Sequence, residues 1–149
     1  MLNEDYLEIL QCFAKNEVRF LVVGAYALAA HGYPRATGDI DIWVEASTEN
    51  SKKIYHALDQ FGAPLHELEP KTFSNMDLVF QIGVAPRRID IITSIDGVEF
   101  KAAYRNRRMI QIESNQFPFI SKKDLIKNKQ STSRAIDALD AESLAASGD

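Results

Sequence analysis

The chain has 149 residues, 46% of them hydrophobic, with 17 basic against 21 acidic side chains; the net charge of −4 argues against wrapping nucleic acid through phosphate neutralisation. That length gives a single domain, residues 1–149, with enough buried area for a core that needs no staples. One cysteine excludes a disulfide framework and a cysteine-rich zinc site, and no apolar run reaches the roughly 18 residues of a membrane span.

Met1 to Asp5 is acidic and carries no apolar stretch, so no secretory signal is read. The expectation is a soluble, cytoplasmic protein with no membrane partner. Tyr6, Ile9, Leu10, Phe13 and Ala14 recur at helical spacing behind Asn3, a good N-cap. Phe20 to Val23 is a short apolar run ending at Gly24, the mark of a central strand. Ala25 to His31 predicts a short helix closed by Gly32 and Pro34. Ile40, Ile42 and Val44 alternate with Asp39, Asp41 and Trp43, which predicts a strand with two unlike faces.

Thr48 is expected to cap a helix ending at Phe61-Gly62, with Ile54, Tyr55, Leu58 and Phe61 as its apolar stripe. Pro64 to Asn75 reads as loop, and Leu78 to Ile82 and Arg88 to Thr93 read as strands. Val98 to Arg105 is ambiguous, whereas Met109 to Ile112 returns as a strand. Ser121 and Asp124 make a capping-box pattern for a helix through Lys129, with Lys122, Lys123, Lys127 and Lys129 on its outside. A last helix runs from about Ser133 to Ala145. Strands and helices intermix without regular alternation, so the fold class is α+β with a mixed sheet.

Asp is depleted in strands, and Asp39 and Asp41 at i, i+2 put two carboxylates on one face. Side by side they repel, so the site needs a cation, hydrogen-bond donors or a shared proton. An all-oxygen set suits Mg²⁺ or Mn²⁺; the alternative is a solvent-facing strand start. Asp90, inside Arg88-Ile89-Asp90-Ile91-Ile92, completes a three-carboxylate site if its strand lies beside the first. The Gly24-Ala25 turn, from buried strand to helix, lets a phosphate approach backbone N–H groups. Arg35 is a candidate to meet a triphosphate and Thr37 to orient Asp39, against a surface charge and a turn residue respectively.

Val23-Gly24-Ala25, the thirteen residues Tyr26 to Gly38, Asp39-Ile40-Asp41-Ile42, and Asp90 in a later strand together resemble the nucleotidyltransferase superfamily, the polymerase-β-like fold. Gly24 to Ala27, His31-Gly32, Arg35, Thr37 and Asp39 to Asp41 look like the small bacterial abortive-infection and minimal nucleotidyltransferases. Asp124 to Asp140 resembles the ending of that group, a helix with Lys followed by an Arg and paired Asp residues. The resemblance implies a nucleotidyltransferase-like mixed sheet with flanking helices and a helical C-terminus. It implies metal-dependent attack of a protein or RNA hydroxyl on the α-phosphate of a nucleoside triphosphate, with release of pyrophosphate. Asp39 and Asp41 would ligate both metals, and Asp90 would ligate the catalytic one and help deprotonate the nucleophile. Gly24 and Ala25 would cradle the β- and γ-phosphates. A separately encoded protein partner, as in toxin–antitoxin pairs, is also implied.

Two departures stand out. Ala25 replaces the usual Ser or Gly, and Ser133 and Ala135 replace the Gly and Pro usual around the Arg. The alternative function is therefore a non-catalytic nucleotide-sensing or partner-binding module on the same fold. A haloacid-dehalogenase-type phosphatase also starts from Asp-x-Asp, but Trp43 stands where its Thr belongs. His31 reads as a structural histidine, His56 and His66 make no zinc spacing, Cys12 is inert, and Trp43 packs in the core rather than on a base. Arg87-Arg88, Lys101, Arg105, Arg107 and Arg108 form a basic region whose usual fate is a solvated face, with a triphosphate or an acidic acceptor as the other use.

Overall fold

The computed structural model describes residues 2–33, 38–84 and 86–146. Helix α1 (Glu4–Lys15) is capped by the Asn3 side chain, which accepts from the Asp5 and Tyr6 amides. It buries Tyr6, Ile9, Leu10 and Phe13, whereas Ala14 lies outside the stripe. Strand β1 (Phe20–Val23) is buried throughout, and α2 (Gly24–Ala30) follows it without a linker. Strand β2 (Ile40–Val44) leads to α3 (Thr48–Phe61), whose cap is Ser47 rather than Thr48. The Ser47 hydroxyl accepts from the Asn50 amide, and Gly62 closes the helix in the left-handed conformation.

The expected loop after α3 holds a single 3₁₀ turn (Thr72–Ser74) before β3 (Val79–Ile82) and β4 (Ile89–Ile92). The ambiguous segment resolves as helix α4 (Phe100–Arg105), and β5 (Arg108–Ile112) pairs in a hairpin with β6 (Asn115–Phe119). Helices α5 (Lys122–Gln130) and α6 (Ala135–Ala146) end the chain and pack on each other.

The six strands form one mixed sheet in the order β3-β4-β2-β1-β6-β5. Strand β1, the most apolar, lies inside it, antiparallel to β2 and parallel to β6. Strand β2 is in turn parallel to β4, with Asp41 opposite Asp90. This is the α+β mixed sheet with a helical C-terminus that the sequence predicts. Edge-to-face rings tie the layers together: Phe13 with Phe20 joins α1 to β1, and Trp43 with Phe100 joins β2 to α4. Alternation along β2 puts Trp43 on the same face as Asp39 and Asp41, so α4 covers part of the carboxylate face. Among the described residues no helix is long and apolar enough to cross a membrane.

Lys129 corrects its expected place on the outside of α5. It is 9% exposed, and its ammonium lies 3.0 Å from Asp137 and 3.7 Å from Asp140. Asp137, 1% exposed, also accepts from Thr132 Oγ1 at 2.7 Å and from Arg134 Nε and a terminal nitrogen at 2.6 and 3.0 Å. Burial pushes this carboxyl up, but the hydrogen bonds from Arg134, Thr132 and Lys129 outweigh it and hold the group well below the usual carboxylate range. Its stabilising contribution is therefore present above the unfolded-state value of about 3.9 and fades as pH falls below it. Asp137→Asn should cost about 2–3 kcal/mol at pH 7, because it leaves the Lys129 charge poorly compensated. In denaturant unfolding, the gap between wild type and variant should narrow as pH drops from 5 to 3; a constant gap would contradict the assignment.

Candidate functional site

The parallel pairing of β2 with β4 brings Asp41 and Asp90 side by side, and Asp39 stands one residue ahead of β2. On the other side of β2, Val23 is the register partner of Asp41, so the turn into α2 begins beside the same carboxylate. Gly24 has φ +70°, and a Cβ there would overlap the Asp41 carboxylate. The positive φ and the close approach of the Asp41 carboxylate both favour glycine here, whether or not a phosphate ever binds. Ala25 follows, half-buried in the first turn of α2.

Asp41 is pushed up to about 6, first by burial, then by the charges of Asp90 and Asp39, and by its hydrogen bond with Asp90. Arg88 pulls the other way, because its guanidinium lies among the three carboxylates. Its Nε is 2.7 Å from Asp90 Oδ1, and one terminal nitrogen reaches Asp90 Oδ2 at 3.0 Å and Asp39 Oδ2 at 3.1 Å. The Arg88 backbone N–H also donates to Asp39 Oδ1 at 3.2 Å. The basic region read as a solvated face, or as a receiver of a triphosphate or acidic acceptor, divides in the structure: Arg88 contacts the carboxylates, whereas Arg87, Lys101, Arg105, Arg107 and Arg108 are exposed. Arg107 lies over the Tyr104 ring, 4.1 Å from its centre.

Tyr6 is the residue that sequence reasoning placed only in the core stripe. Its hydroxyl donates to the Gly38 carbonyl and lies 3.3 Å from the Arg88 carbonyl, so α1 clamps the two segments carrying Asp39 and Asp90. Burial, with Tyr26 and Asp39 nearby, pushes the phenol up to about 12 and keeps it a donor. No periodicity distinguishes such a tyrosine from a packing one. Beside it, Tyr6, Tyr26, Gly38, Pro86 and Arg87 line a cavity of about 460 Å³. Arg134, at the head of α6, is held by Asp137 and lies close enough to feel the charge of Asp41.

Of the predicted site residues, Gly24, Ala25, Asp39, Asp41 and Asp90 therefore converge, while Arg35 and Thr37 lie outside the described residues. His31 is structural: its Nε2 stands 2.8 Å from the Ile120 carbonyl. Trp43 is buried against Phe100, and His56 and His66 are exposed. Cys12 sits in a partly buried place that pushes its thiol up.

Among the described residues, no three Asp, Glu, His or Cys side chains are spaced to hold a metal ion as they stand. Asp39 and Asp90 are spread around the Arg88 guanidinium instead. The donor chemistry nonetheless fits a hard divalent cation: three carboxylates, one of them strained by its neighbours, already gather a stand-in cation.

By sequence, no family model and no curated protein matches the chain. By structure, it is similar to a Thermotoga maritima protein assigned as a nucleotidyltransferase (TM1012), with TM-score 0.61 and 17% identity over 98% of this chain and 94% of that one. It is also similar to the antibiotic-resistance factor ANT(2'')-Ia, with TM-score 0.60 and 13% identity over 96% and 81% of the two chains. A third likeness is to the lincosamide antibiotic adenylyltransferase LnuA in its lincomycin-bound form, with TM-score 0.59 and 16% identity over 97% of each chain. The chain has the nucleotidyltransferase fold.

Gly24→Ala tests the built approach to Asp41. Gly62 shares the left-handed backbone, at φ +92°, but has open space where a Cβ would go. Gly62→Ala should therefore cost only the backbone strain, about 1–2 kcal/mol, and Gly24→Ala clearly more. Equal losses in denaturant unfolding would show that Asp41 does not press on Gly24.

Proposed function

We propose that this chain is a metal-dependent nucleotidyltransferase that moves a nucleoside monophosphate from a nucleoside triphosphate to an acceptor hydroxyl on protein or RNA. The observation that carries this reading is the pairing of Asp41 with Asp90 across adjacent strands, with Asp39 and the Gly24 turn at the same place. Asp39, Asp41 and Asp90 would hold Mg²⁺ or Mn²⁺, which supplies charge stabilisation at the transferring phosphate. The backbone of Gly24 and Ala25 would face the β- and γ-phosphates, and Arg35 and Thr37 are kept as candidates for the same task. As the new bond forms between the acceptor oxygen and the α-phosphorus, the bond to the pyrophosphate oxygen breaks. The hydroxyl proton passes to the Asp90 carboxylate. Work beside a separately encoded partner, as in a toxin–antitoxin pair, belongs to the same proposal.

A second reading concerns the acceptor. The cavity lined by Tyr6, Tyr26, Arg87 and Gly38, the neighbour of Asp39 in sequence, is large enough for a small molecule. The likeness to an antibiotic adenylyltransferase with lincomycin bound supports a small-molecule hydroxyl there.

Thermal unfolding with each of the four nucleoside triphosphates, with and without Mg²⁺, tests the donor site. A nucleotide at 100 times its Kd adds about 2.7 kcal/mol, or roughly 5–10 °C at this size. A Mg²⁺-dependent rise with at least one nucleotide, lost in Asp39→Asn/Asp41→Asn, is the expected result. No rise with any nucleotide, and no label transferred from labelled triphosphates to lysate protein, RNA or small molecules, would favour the non-catalytic module.

A further inference from the structure

Arg88 is the one basic side chain in the described structure placed among all three carboxylates, and its setting is unusual in two respects. Its backbone is fastened: the carbonyl accepts from the Ile40 amide at 3.0 Å and faces the Tyr6 hydroxyl, while its N–H donates to Asp39. Its side chain, 29% exposed, engages two carboxylates through three contacts of 2.7–3.1 Å. A divalent cation drawn to the same carboxylates competes directly with this guanidinium for Asp39 and Asp90.

Resting on the nucleotidyltransferase reading above, we propose that Arg88 is a displaceable counter-ion that a divalent cation releases, and that the freed guanidinium then grips the triphosphate. In the free protein, Arg88 keeps the carboxylates from repelling one another. A cation competing for Asp39 and Asp90 removes its partners, and a guanidinium without a carboxylate finds its next-best partner in a phosphate oxygen, which it binds in the same forked geometry. Because Tyr6 and Ile40 hold the backbone, the released side chain stays at the site. The exchange links the two ligands: Arg88 opposes the cation alone and favours the cation together with polyphosphate.

The linkage predicts effects of opposite sign from one substitution. Mn²⁺ affinity, followed by loss of the free-ion paramagnetic resonance signal, should rise about tenfold in Arg88→Gln when Mn²⁺ is the sole ligand. Binding of Mn²⁺-tripolyphosphate, a probe that needs no choice of base, should weaken about tenfold in the same variant. Arg88→Lys, which keeps the charge and loses the fork, should fall between wild type and Arg88→Gln in both assays; it also stands in if the Gln variant does not fold. Changes of the same sign in the two assays, or none, would overturn the proposal while leaving the catalytic reading intact, provided Asp41→Asn abolishes Mn²⁺ binding. No Mn²⁺ binding to wild type or either Arg88 variant would overturn both.

Discussion

The parallel register of β2 with β4 sets Asp41 against Asp90, and much of the molecule is arranged around the cost of that pairing. Two carboxylates at facing positions of adjacent strands repel, and burial makes the repulsion harder to screen. The protein meets this with a hydrogen bond between Asp41 and Asp90, which favours the neutral form of Asp41, and with a guanidinium inserted from Arg88. Neither would be needed if the strand carried apolar residues at 41 and 90. A sheet that keeps such a pair does so at the expense of its own stability.

The surrounding elements serve that pair by position rather than by charge. Gly24 lets the β1–α2 turn come against Asp41, where any side chain would collide. Tyr6 reaches from α1 to the carbonyls of Gly38 and Arg88, so a helix on the far side of the motif in sequence fixes both segments that carry Asp39 and Asp90. The C-terminal helices add the buried Lys129, Asp137 and Asp140 cluster, which holds Arg134 within electrostatic reach of Asp41. Fold likeness to nucleotidyltransferases agrees with this arrangement, while the chemistry of the site rests on these particular side chains.

Most of the frame is legible in the sequence because local signals and tertiary needs coincide. The apolar run of β1, the alternation along β2 and the Asn3 and Ser121 caps each point to the element that forms. Strand β6 is hidden in the sequence by Pro118 and by the polar Asn115 and Gln116 at its start; it pairs with β1 at Val22 and Phe119, which leaves room in the ladder for a residue without an N–H. Lys129 looked like a solvent-facing helix lysine because its partners, Asp137 and Asp140, sit on the next helix. Arg88 and Tyr6 were missed as site residues for the same reason. Their roles depend on which strand lies beside which, and no short-range pattern encodes that neighbourhood.

The most direct test of the central claim is a double-mutant cycle on Asp41→Asn and Asp90→Asn, by denaturant unfolding of metal-free protein at pH 7. Asp41 titrates near 6 when folded, so its penalty is absent below the unfolded value, grows as pH rises through 6, and is fully present at pH 7. Asp41→Asn should then stabilise the protein by about 1 kcal/mol. Combining it with Asp90→Asn should depart from additivity by at least about 0.5 kcal/mol, because either change alone already relieves the repulsion. Additive effects, with Asp41→Asn neutral or destabilising, would contradict the claim that these two carboxylates face each other under strain.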